Sequence, residues 1–480
     1  MSYSQLSRRT VLKGGASLSA LAALATAGGC EAWQEEVANR PVRKSVTSAA
    51  AATDIATYDA AVAAMQALPP TDPRNWDNQA QIHNDFCPHG NWYFLPWHRA
   101  YLFYFENICR ELTGVTDFAL PYWNWQVDRA IPDAFWTGNL DHASRSAGPS
   151  SLASELSVGQ SVIEGILALT NFEQFASYAS TALRPGGLPS YGELEGGPHN
   201  YIHGSFVGGT MGNYFAPLDP VFWCHHNFID CLWAHWNIHR GNPNIADADW
   251  GLFNLAGMFV DGDGSPVEVT CAATTLWPYW DYDFEPSPMG DSVPVALRTR
   301  RREVAEMFER GGNIRHRVLA EVPVATSFAL ETGESITRRF RLPEQILDSL
   351  AATGESAVRV LIRVSEVTPP ARDDSFVLIF VSKPDATRQT SADDPHFAGS
   401  FAFFTDPEAQ GPGHALHLLN YYVDITDTLA RLRAGGMLSP GDPVTLSLLA
   451  TPFETGEREP GRIVIGRLDV ITTPMAVSGQ

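Results

Sequence analysis

Two short segments of the sequence concentrate histidines at spacings that suit metal binding. The first segment contains His83, His89 and His98, and the second contains His199, His203, His225 and His226. His199 and His203 are four residues apart, so on a helix both imidazoles leave the same face and can reach one metal ion. A third histidine from a later helix would complete a three-histidine site, and the first segment can form a second site of the same kind.

The donor set narrows the choice of metal. Two three-histidine sites with no ligating carboxylate at these spacings argue against di-iron centres and against magnesium or manganese sites. Neutral imidazoles bind copper well in both of its redox states. A lone histidine is more often a core or surface residue, but six at two matched spacings are hard to explain in that way. The sequence therefore predicts two copper ions.

This constellation resembles the type 3 dicopper family, which comprises tyrosinases, catechol oxidases (the plant polyphenol oxidases) and hemocyanins. The resemblance covers most of the chain. It implies that the first copper ion is held by His83, His89 and His98, and the second by His199, His203 and His226. It also implies that dioxygen is the co-substrate.

The resemblance also assigns supporting residues around the two copper sites. It implies that His225 lies next to the second site without being a ligand, that Asp230 orients a ligand helix, and that Phe94 and Phe222 pack around the coppers. Cys87 stands two residues before His89, and a Cys-x-His of this form in the family carries a thioether bond between sulfur and imidazole. The alternative for Cys87 is a free buried thiol.

Two further residues bear on the choice between monophenol and diphenol substrates. A monophenol must lose its proton before it is hydroxylated, although its ordinary pKa is about 10. The resemblance implies that Glu195 and Asn200 hold a water molecule for this proton transfer, so hydroxylation of monophenols is expected. The alternative is that Glu195 only caps a helix that starts near Pro198.

The resemblance thus implies an oxidase that converts small o-diphenols, and monophenols, to o-quinones with dioxygen. A dioxygen carrier of the hemocyanin type is an alternative, because hemocyanins share the six ligands and the Cys-x-His motif. The segment from Asp247 to Phe253 is closer to the plant oxidases, which favours the enzyme. An o-aminophenol oxidase or a specialised phenol-coupling oxidase remains open at this point.

The elements that position these residues change character along the chain. Twelve of the 13 tryptophans lie between Trp76 and Trp280, and ten of the 14 histidines lie between His83 and His239. Apolar residues recur at helical spacing from Asp54 to Leu68, from Trp97 to Leu112 and from His225 to Ile238. We expect a mainly α-helical catalytic domain over residues 53–285, with a four-helix core that holds the dicopper site.

The remainder of the chain has the period of β-strands. After a predicted linker over residues 286–315, Val358 to Val364 alternate between apolar and polar side chains. Further strands are predicted for Phe376–Val381, Val444–Leu449 and Arg462–Ile471. Residues 316–480 are therefore expected to form an antiparallel β-sandwich domain, and the resemblance to the plant enzymes implies that it covers the active site.

The N-terminus has the layout of an export signal. Arg8 and Arg9 precede a mild apolar run from Gly14 to Gly29, which predicts a twin-arginine signal over residues 1–30 and a linker over 31–52. The protein is then periplasmic or secreted. Ala27 to Cys30 could instead be a lipoprotein box with Cys30 lipidated, and two arginines can also occur in an ordinary basic signal segment.

Charge excludes some classes of partner. The chain has 54 acidic and 33 basic residues, a formal net charge of −21. A chain this acidic repels phosphate backbones and anionic membrane surfaces, so we expect no nucleic-acid partner. No run of 18 apolar residues occurs, and we expect no transmembrane segment.

Overall fold

The computed structural model describes residues 40–180, 183, 189–245, 247–275, 282–288, 318–343, 346, 350, 358–370, 375–404, 418–439, 441–452 and 461–474. The predicted export signal with Cys30 lies outside the described residues, as does most of the predicted linker 286–315. None of the described helices has the length and apolar character needed to cross a membrane.

The described part of the chain before residue 276 is mainly helical. Its helices are α1 (Ala52–Ala67), α2 (Trp76–Phe86), α3 (Phe94–Thr113), α4 (Glu155–Val158), α5 (Gln160–Ala168), α6 (Phe172–Phe175), π1 (Glu195–His199), π2 (Tyr201–Val207), α7 (Val221–Ala234), π3 (His235–His239), α8 (Ala248–Leu252) and α9 (Cys271–Thr274). Short 3₁₀ turns lie at Ala49–Ala51, Asp133–Trp136, Gly138–Leu140, Gly209–Gly212 and Ala216–Leu218. The helices predicted from spacing at 54–68, 97–112 and 225–238 correspond to α1, to α3, and to α7 continued by π3.

Local sequence explains where the two helices of the first histidine segment begin and end. Helix α2 is capped by Asn75, whose side-chain oxygen accepts a hydrogen bond from the amide of Asp77. Helix α3 ends at Gly114, which has φ of +73° and so adopts the left-handed conformation that glycine accommodates most readily. Helix α3 is largely apolar, and 15 of its 20 residues are buried. These two helices frame the loop that contains His89.

The C-terminal region is built mainly of strands. The strands among the described residues are β1 (Val42–Arg43), β2 (Ser190–Tyr191), β3 (Asp283–Phe284), β4 (Ala320–Glu331), β5 (Ser335–Phe340), β6 (Val358–Thr368), β7 (Ser375–Val381), β8 (Phe397–Ala402), β9 (Leu419–Asp424), β10 (Val444–Pro452) and β11 (Arg462–Pro474). One helix, α10 (Thr426–Ala434), follows β9. The four strands predicted from alternation correspond to β6, β7, β10 and β11.

The strands that the structure describes form three sheets. One has four antiparallel strands in the order β5-β10-β7-β8, and another has five in the order β2-β9-β6-β11-β4. In the five-stranded sheet, β2 comes from the helical region and pairs in parallel with β9, while the other pairs are antiparallel. The third is a parallel pair of β1 and β3, so the predicted linker 31–52 contributes a strand that pairs with residues 283–284.

Strand β7 shows how the sheets join the helical region. Its even-numbered residues, including Phe376 and Phe380, belong to the hydrophobic cluster that contains the helices. Its odd-numbered residues, including Val377 and Ile379, belong to a second cluster formed by residues of both large sheets. Because successive side chains of a strand point to opposite faces, the four-stranded sheet packs against the helices on one face and against the other sheet on the other.

Candidate metal centre

Five helices and one loop bring the two groups of histidines together. His83 lies on α2, His98 on α3, His199 and His203 on π1 and π2, and His225 and His226 on α7, while His89 lies in the loop between α2 and α3. Every one of these side chains is at most 4% exposed. Two groups have possible ligand atoms within 4.8 Å of one another: His83, Cys87, His89 and His98, and His199, His203, His225 and His226.

The two groups are neighbours. The ring of His98 stacks on that of His226 with centroids 4.0 Å apart and planes inclined by 5°. His89 and His199 also face each other, with ring centroids 5.5 Å apart. Metal ions bound in the two groups would therefore form one binuclear centre.

Hydrogen bonds fix the protonation of four of the rings. In each of them Nδ1 lies close to an oxygen: His83 to the carbonyl of Tyr214 (2.6 Å), His98 to the carbonyl of Phe94 (2.8 Å), His199 to Oδ1 of Asn200 (2.9 Å) and His203 to the carbonyl of Met211 (2.7 Å). An oxygen of this kind only accepts, so Nδ1 carries the proton. The lone pair is then on Nε2, which is the atom left to bind a metal.

The same reasoning separates the two adjacent histidines of α7. The indole of Trp125 donates its Nε1–H to Nδ1 of His225 over 3.0 Å. Tryptophan only donates, so Nδ1 of His225 is the acceptor and the neutral ring carries its proton on Nε2. Neither nitrogen of His225 then offers a lone pair to a metal, whereas His226 has no such constraint. These contacts support the prediction that His226 is the ligand.

Two Nε2 atoms of the second group fit a bound cation. Nε2 of His203 lies 2.9 Å from Nε2 of His226. Since Nε2 of His203 carries a lone pair, a proton or a metal ion must lie between the two atoms for the contact to be favourable. Nε2 of His199 is buried and has no hydrogen-bond partner among the described residues. A buried polar atom without a partner is costly, and a metal ion removes that cost.

Burial keeps the rings neutral. It lowers the pKa of His98 and of His203 to about 3. Burial also lowers the pKa of His199 and of His226 well below the ordinary value, with a further lowering from neighbouring histidines. All four rings are therefore neutral near pH 7. Protons then do not compete with a metal ion for their nitrogens, as metal binding requires.

The predicted aromatic residues lie between the two groups. The ring of Phe94 is 4.7 Å from those of both His98 and His199. The ring of Phe222 is 4.4 Å from that of His226 and 5.0 Å from that of His83. Each phenylalanine contacts histidines of both groups and so excludes water around them.

Cys87 lies within the first group. Its sulfur is 3.8 Å from Nδ1 and 3.7 Å from Nε2 of His89, and 3.3 Å from Nε2 of His98. The side chain is fully buried. The thioether between Cys87 and His89 stays a prediction, and the sulfur is near the ring with which it would bond.

Asp230 orients helices and not imidazoles directly. Its Oδ1 accepts from Nε of Arg99 over 2.6 Å, and its Oδ2 accepts from Nη1 of Arg43 (3.1 Å) and from the hydroxyl of Tyr282 (2.7 Å). Arg99 follows His98 on α3, so the carboxylate joins the two helices that carry a predicted ligand of each copper. Arg43 also donates to Glu106 over 2.9 Å, so this buried network holds β1 in place.

Glu195 and Asn200 have separate partners. Oε1 of Glu195 accepts from the amide of Gly90 over 2.8 Å. Nδ2 of Asn200 donates to the carbonyl of Ala402 over 3.2 Å. The helix expected to start near Pro198 begins earlier, at Glu195, so Glu195 lies in its first turn, where an acid is favourable, while Leu194 is the N-cap and no side chain caps the helix. Burial raises the pKa of Glu195 well above its ordinary value.

Sequence reasoning missed Phe404. It follows strand β8, is 3% exposed, and lies with its ring centroid 4.4 Å from that of His89 and 5.0 Å from that of His203. It also lies 5.3 Å from the ring of Tyr214. No local signal marks this phenylalanine, because its role depends on a contact between segments some 200–300 residues apart in sequence.

Comparison with known proteins agrees with this geometry. The chain matches the family model of the common central domain of tyrosinase over two overlapping segments, residues 63–187 and 137–239. It is 28% identical over 382 residues to tyrosinase HcTyr1 of Hahella sp. (strain CCB-MM4), which covers 72% of this chain and 76% of the relative. It is 29% identical over 439 residues to a chloroplastic polyphenol oxidase, latent form, of Prunus armeniaca, covering 79% and 68%.

A solved structure shares the fold over almost the whole chain. Latent apple tyrosinase superposes with a TM-score of 0.65 at 21% identity and covers 90% of this chain and 97% of its own. Both histidine groups fall within the segments that match the tyrosinase family model. The family model over residues 63–239 and the tyrosinase and polyphenol oxidase relatives together support a place for this chain in the type 3 copper, tyrosinase-like family.

Proposed function

We propose that this chain is a copper-dependent oxidoreductase of the polyphenol oxidase type, which converts o-diphenols and monophenols to o-quinones with dioxygen. The observation that carries this proposal is the pair of adjacent, buried histidine groups, joined by the stacked rings of His98 and His226. The tyrosinase and polyphenol oxidase relatives support the same reaction class.

In this proposal the chain's own residues hold the metal ions, stabilise the bound substrate and exclude water from the site. His83, His89 and His98 would hold one copper ion, and His199, His203 and His226 the other. Two bound copper ions would supply the electron transfer between the phenol and dioxygen. Because all six ligands are neutral, they leave the positive charge of the centre uncompensated, and an anionic phenolate oxygen is stabilised there. Phe94 and Phe222 keep bulk water away.

Monophenol hydroxylation additionally needs a proton acceptor. We assign this role to Glu195, which would take the phenol's proton through a water molecule held together with Asn200. Burial favours the neutral form of Glu195, so a carboxylate at this position binds a proton more readily than an exposed one. The side chain of Asn200 also donates to Ala402 in the C-terminal region.

We propose that residues 316–480 act as a lid over the catalytic domain, residues 53–285. The two large sheets would be the layers of a β-sandwich, and Phe404 would occupy the space that a phenol ring needs beside His89. The four-stranded sheet packs on the helical region, and Ser205 of π2 donates to the carbonyl of Ser375 over 3.0 Å. These contacts favour a closed arrangement of low activity.

One experiment distinguishes the proposed phenol oxidase from two alternatives, a dioxygen carrier and an aminophenol oxidase. Oxygen uptake by the copper-loaded full chain would be measured with catechol, tyramine and 2-aminophenol, before and after limited trypsin treatment. We expect steady quinone formation from catechol and tyramine that increases after trypsin. Reversible oxygen binding without turnover would identify a dioxygen carrier, and turnover of 2-aminophenol alone would identify an aminophenol oxidase.

Export by the twin-arginine route is a separate proposal. It rests on Arg8 and Arg9, which lie outside the described residues. Fractionation of expressing cells should find the protein in the periplasm or medium, and replacing both arginines by lysine should retain it inside. Recovery with the membrane that depends on Cys30 would favour the lipid-anchored alternative.

A further inference from the structure

Ser177 lies beside the carboxyl group of Glu195. It follows helix α6, is fully buried, and places its Oγ in hydrogen-bond contact with Oε2 of Glu195. The other carboxyl oxygen, Oε1, accepts from the amide of Gly90. Both oxygens of Glu195 are thus engaged, one by a backbone amide and one by a hydroxyl.

The two partners of Glu195 are themselves firmly placed. Gly90 follows His89 and has φ of +64°, and a Cβ there would lie 2.4 Å from Cβ of Pro189, so only glycine fits. The backbone around Ser177 is fixed by the bridge between Ser177 and Tyr191. The carboxyl group therefore lies between a fixed backbone amide and a buried hydroxyl whose backbone is fixed.

The hydroxyl of Ser177 has two possible acceptors for its single proton. Its Oγ lies 2.7 Å from the carbonyl of Ala176, accepts from the amide of Gly192 at 3.3 Å, and contacts Glu195. A hydroxyl has one proton and two lone pairs, so it can donate to Ala176 or to Glu195 but not to both. When Glu195 is ionised, Ser177 donates to it. When Glu195 is protonated, Glu195 donates to Ser177, and the hydroxyl proton turns to Ala176.

Either arrangement leaves both oxygens of the Glu195 carboxyl group hydrogen-bonded. A buried carboxyl group that changes charge would ordinarily leave a donor or an acceptor without a partner in one of its two states, at considerable cost. Rotation of the Ser177 hydroxyl avoids that cost at the Glu195 carboxyl group in both states. No other side chain hydrogen-bonds the Glu195 carboxyl group among the described residues.

We propose that Ser177 is a positioning residue for monophenol hydroxylation, which orients the Glu195 carboxyl group and turns its hydroxyl as that group gains and loses the phenol's proton. In this step the phenol O–H bond breaks, the proton passes through water to form the neutral carboxyl group, and phenolate remains. The inference rests on the proposed function, because it needs Glu195 to be the proton acceptor.

The test uses the copper-loaded full chain, assayed with tyramine and with catechol before and after limited trypsin treatment. Ser177→Ala should lower kcat for tyramine about tenfold, as expected for loss of a hydrogen bond to a charged group, with KM, catechol turnover and copper content unchanged. Ser157→Ala is the matched control, since Ser157 is equally buried and its hydroxyl has no partner among the described residues. Ser157→Ala should change the turnover of neither tyramine nor catechol.

A double-mutant cycle separates positioning from a merely structural role. In the Glu195→Gln background, Ser177→Ala should cause no further loss with tyramine, because the two residues act as one unit. Equal losses on both substrates, or additive losses in the cycle, would overturn the role of Ser177. If Ser177→Ala does not fold, Ser177→Cys keeps the size with a weaker donor and should show a smaller selective loss. Wild-type turnover of catechol alone would overturn the proposed monophenol reaction together with this inference, whereas wild-type tyramine turnover that Ser177→Ala leaves intact would overturn this inference only.

Discussion

The phenyl ring of Phe404 lies 4.4 Å from the imidazole ring of His89, centroid to centroid. Phe404 belongs to the C-terminal region and His89 to the first histidine group, so the contact joins the predicted lid to the predicted copper site. A phenol ring cannot share this space. We expect Phe404→Ala to raise catechol oxidation by the untreated full chain several-fold, measured as oxygen uptake at constant copper content.

A matched variant removes an equal ring elsewhere in the sheets. Phe328 on β4 is half-buried and stacks with Arg338, far in sequence from the site. Phe328→Ala should leave the activity of the untreated chain unchanged, and Phe404→Leu should give an intermediate increase. A Phe404→Ala protein that binds two copper ions and is no more active than the wild type would contradict the assignment of Phe404.

The adjacent histidines of α7 should respond differently to substitution. His226→Ala should lose one of two copper ions and nearly all catechol oxidation, because it removes a predicted ligand. His225→Ala should retain both copper ions, since Nδ1 of His225 is held by Trp125. Metal analysis after folding with excess copper gives the measurement, and the reverse order of losses would exchange the two roles.

His142 provides the control for substituting a histidine that belongs to neither group. Its side chain is 25% exposed and lies 4.0 Å from Asp219, outside both histidine groups. His142→Ala should bind two copper ions and oxidise catechol as the wild type does. A loss of copper in this variant would show that the two histidine groups do not account for metal binding.

The sequence was sufficient to find the histidine groups, because ligand spacing is a local property. His199 and His203 are placed together by one turn of helix, and the period of apolar residues predicts α1 and α3. The alternation in β6 and β7 predicts strands for the same reason. The family resemblance then orders these local signals into a tertiary arrangement.

The sequence did not reveal contacts that depend on distant segments. Phe404 is one of 25 phenylalanines, and only the packing of β8 on the helices places it beside His89. Ser177 reaches Glu195 through a bridge to Tyr191 that has no sequence signature. Arg43, in a segment predicted to be a linker, is buried against Asp230 because β1 pairs with β3.

Glu195→Gln should separate the two reactions. The amide keeps the shape of the side chain but cannot accept the phenol's proton, so tyramine turnover should fall about 10²-fold, in the range of general base catalysis. Catechol turnover should fall far less. Steady-state rates after trypsin treatment give the measurement. Equal losses on both substrates would reduce Glu195 to a structural role.

The nearby Glu193 supplies the control for this substitution. It differs from Glu195 in that its carboxylate accepts from the amide of Asp424 in the C-terminal region, over 2.6 Å. After trypsin treatment, Glu193→Gln should change tyramine and catechol turnover alike. A selective loss with tyramine in this variant would assign the proton acceptor to Glu193.

The contact between Glu193 and Asp424 also predicts a dependence of closure on pH. Burial raises the pKa of Glu193 well above its ordinary value, and the neighbouring Asp424 and Asp427 carboxylates raise it further, while Arg359 and the Asp424 amide oppose the rise. Tyr178 also faces it. Burial likewise raises the pKa of Asp424. Glu193 therefore holds its proton in the closed arrangement at pH values where an exposed glutamate has lost it.

The sign of the effect follows from proton linkage. A group whose pKa is raised in the closed arrangement contributes stability to closure that is fully present below its ordinary pKa, about 4.3, and is lost as pH rises through the raised value. The ratio of catechol oxidation before trypsin treatment to that after it should therefore increase as pH rises from the ordinary pKa of glutamate through the raised pKa of Glu193. Glu193→Gln removes the titration and should flatten this dependence, whereas Glu164→Gln, at a half-exposed glutamate paired with Arg240, should leave it as in the wild type. A wild-type ratio that is constant with pH, or one that falls, would show that Glu193 does not control closure.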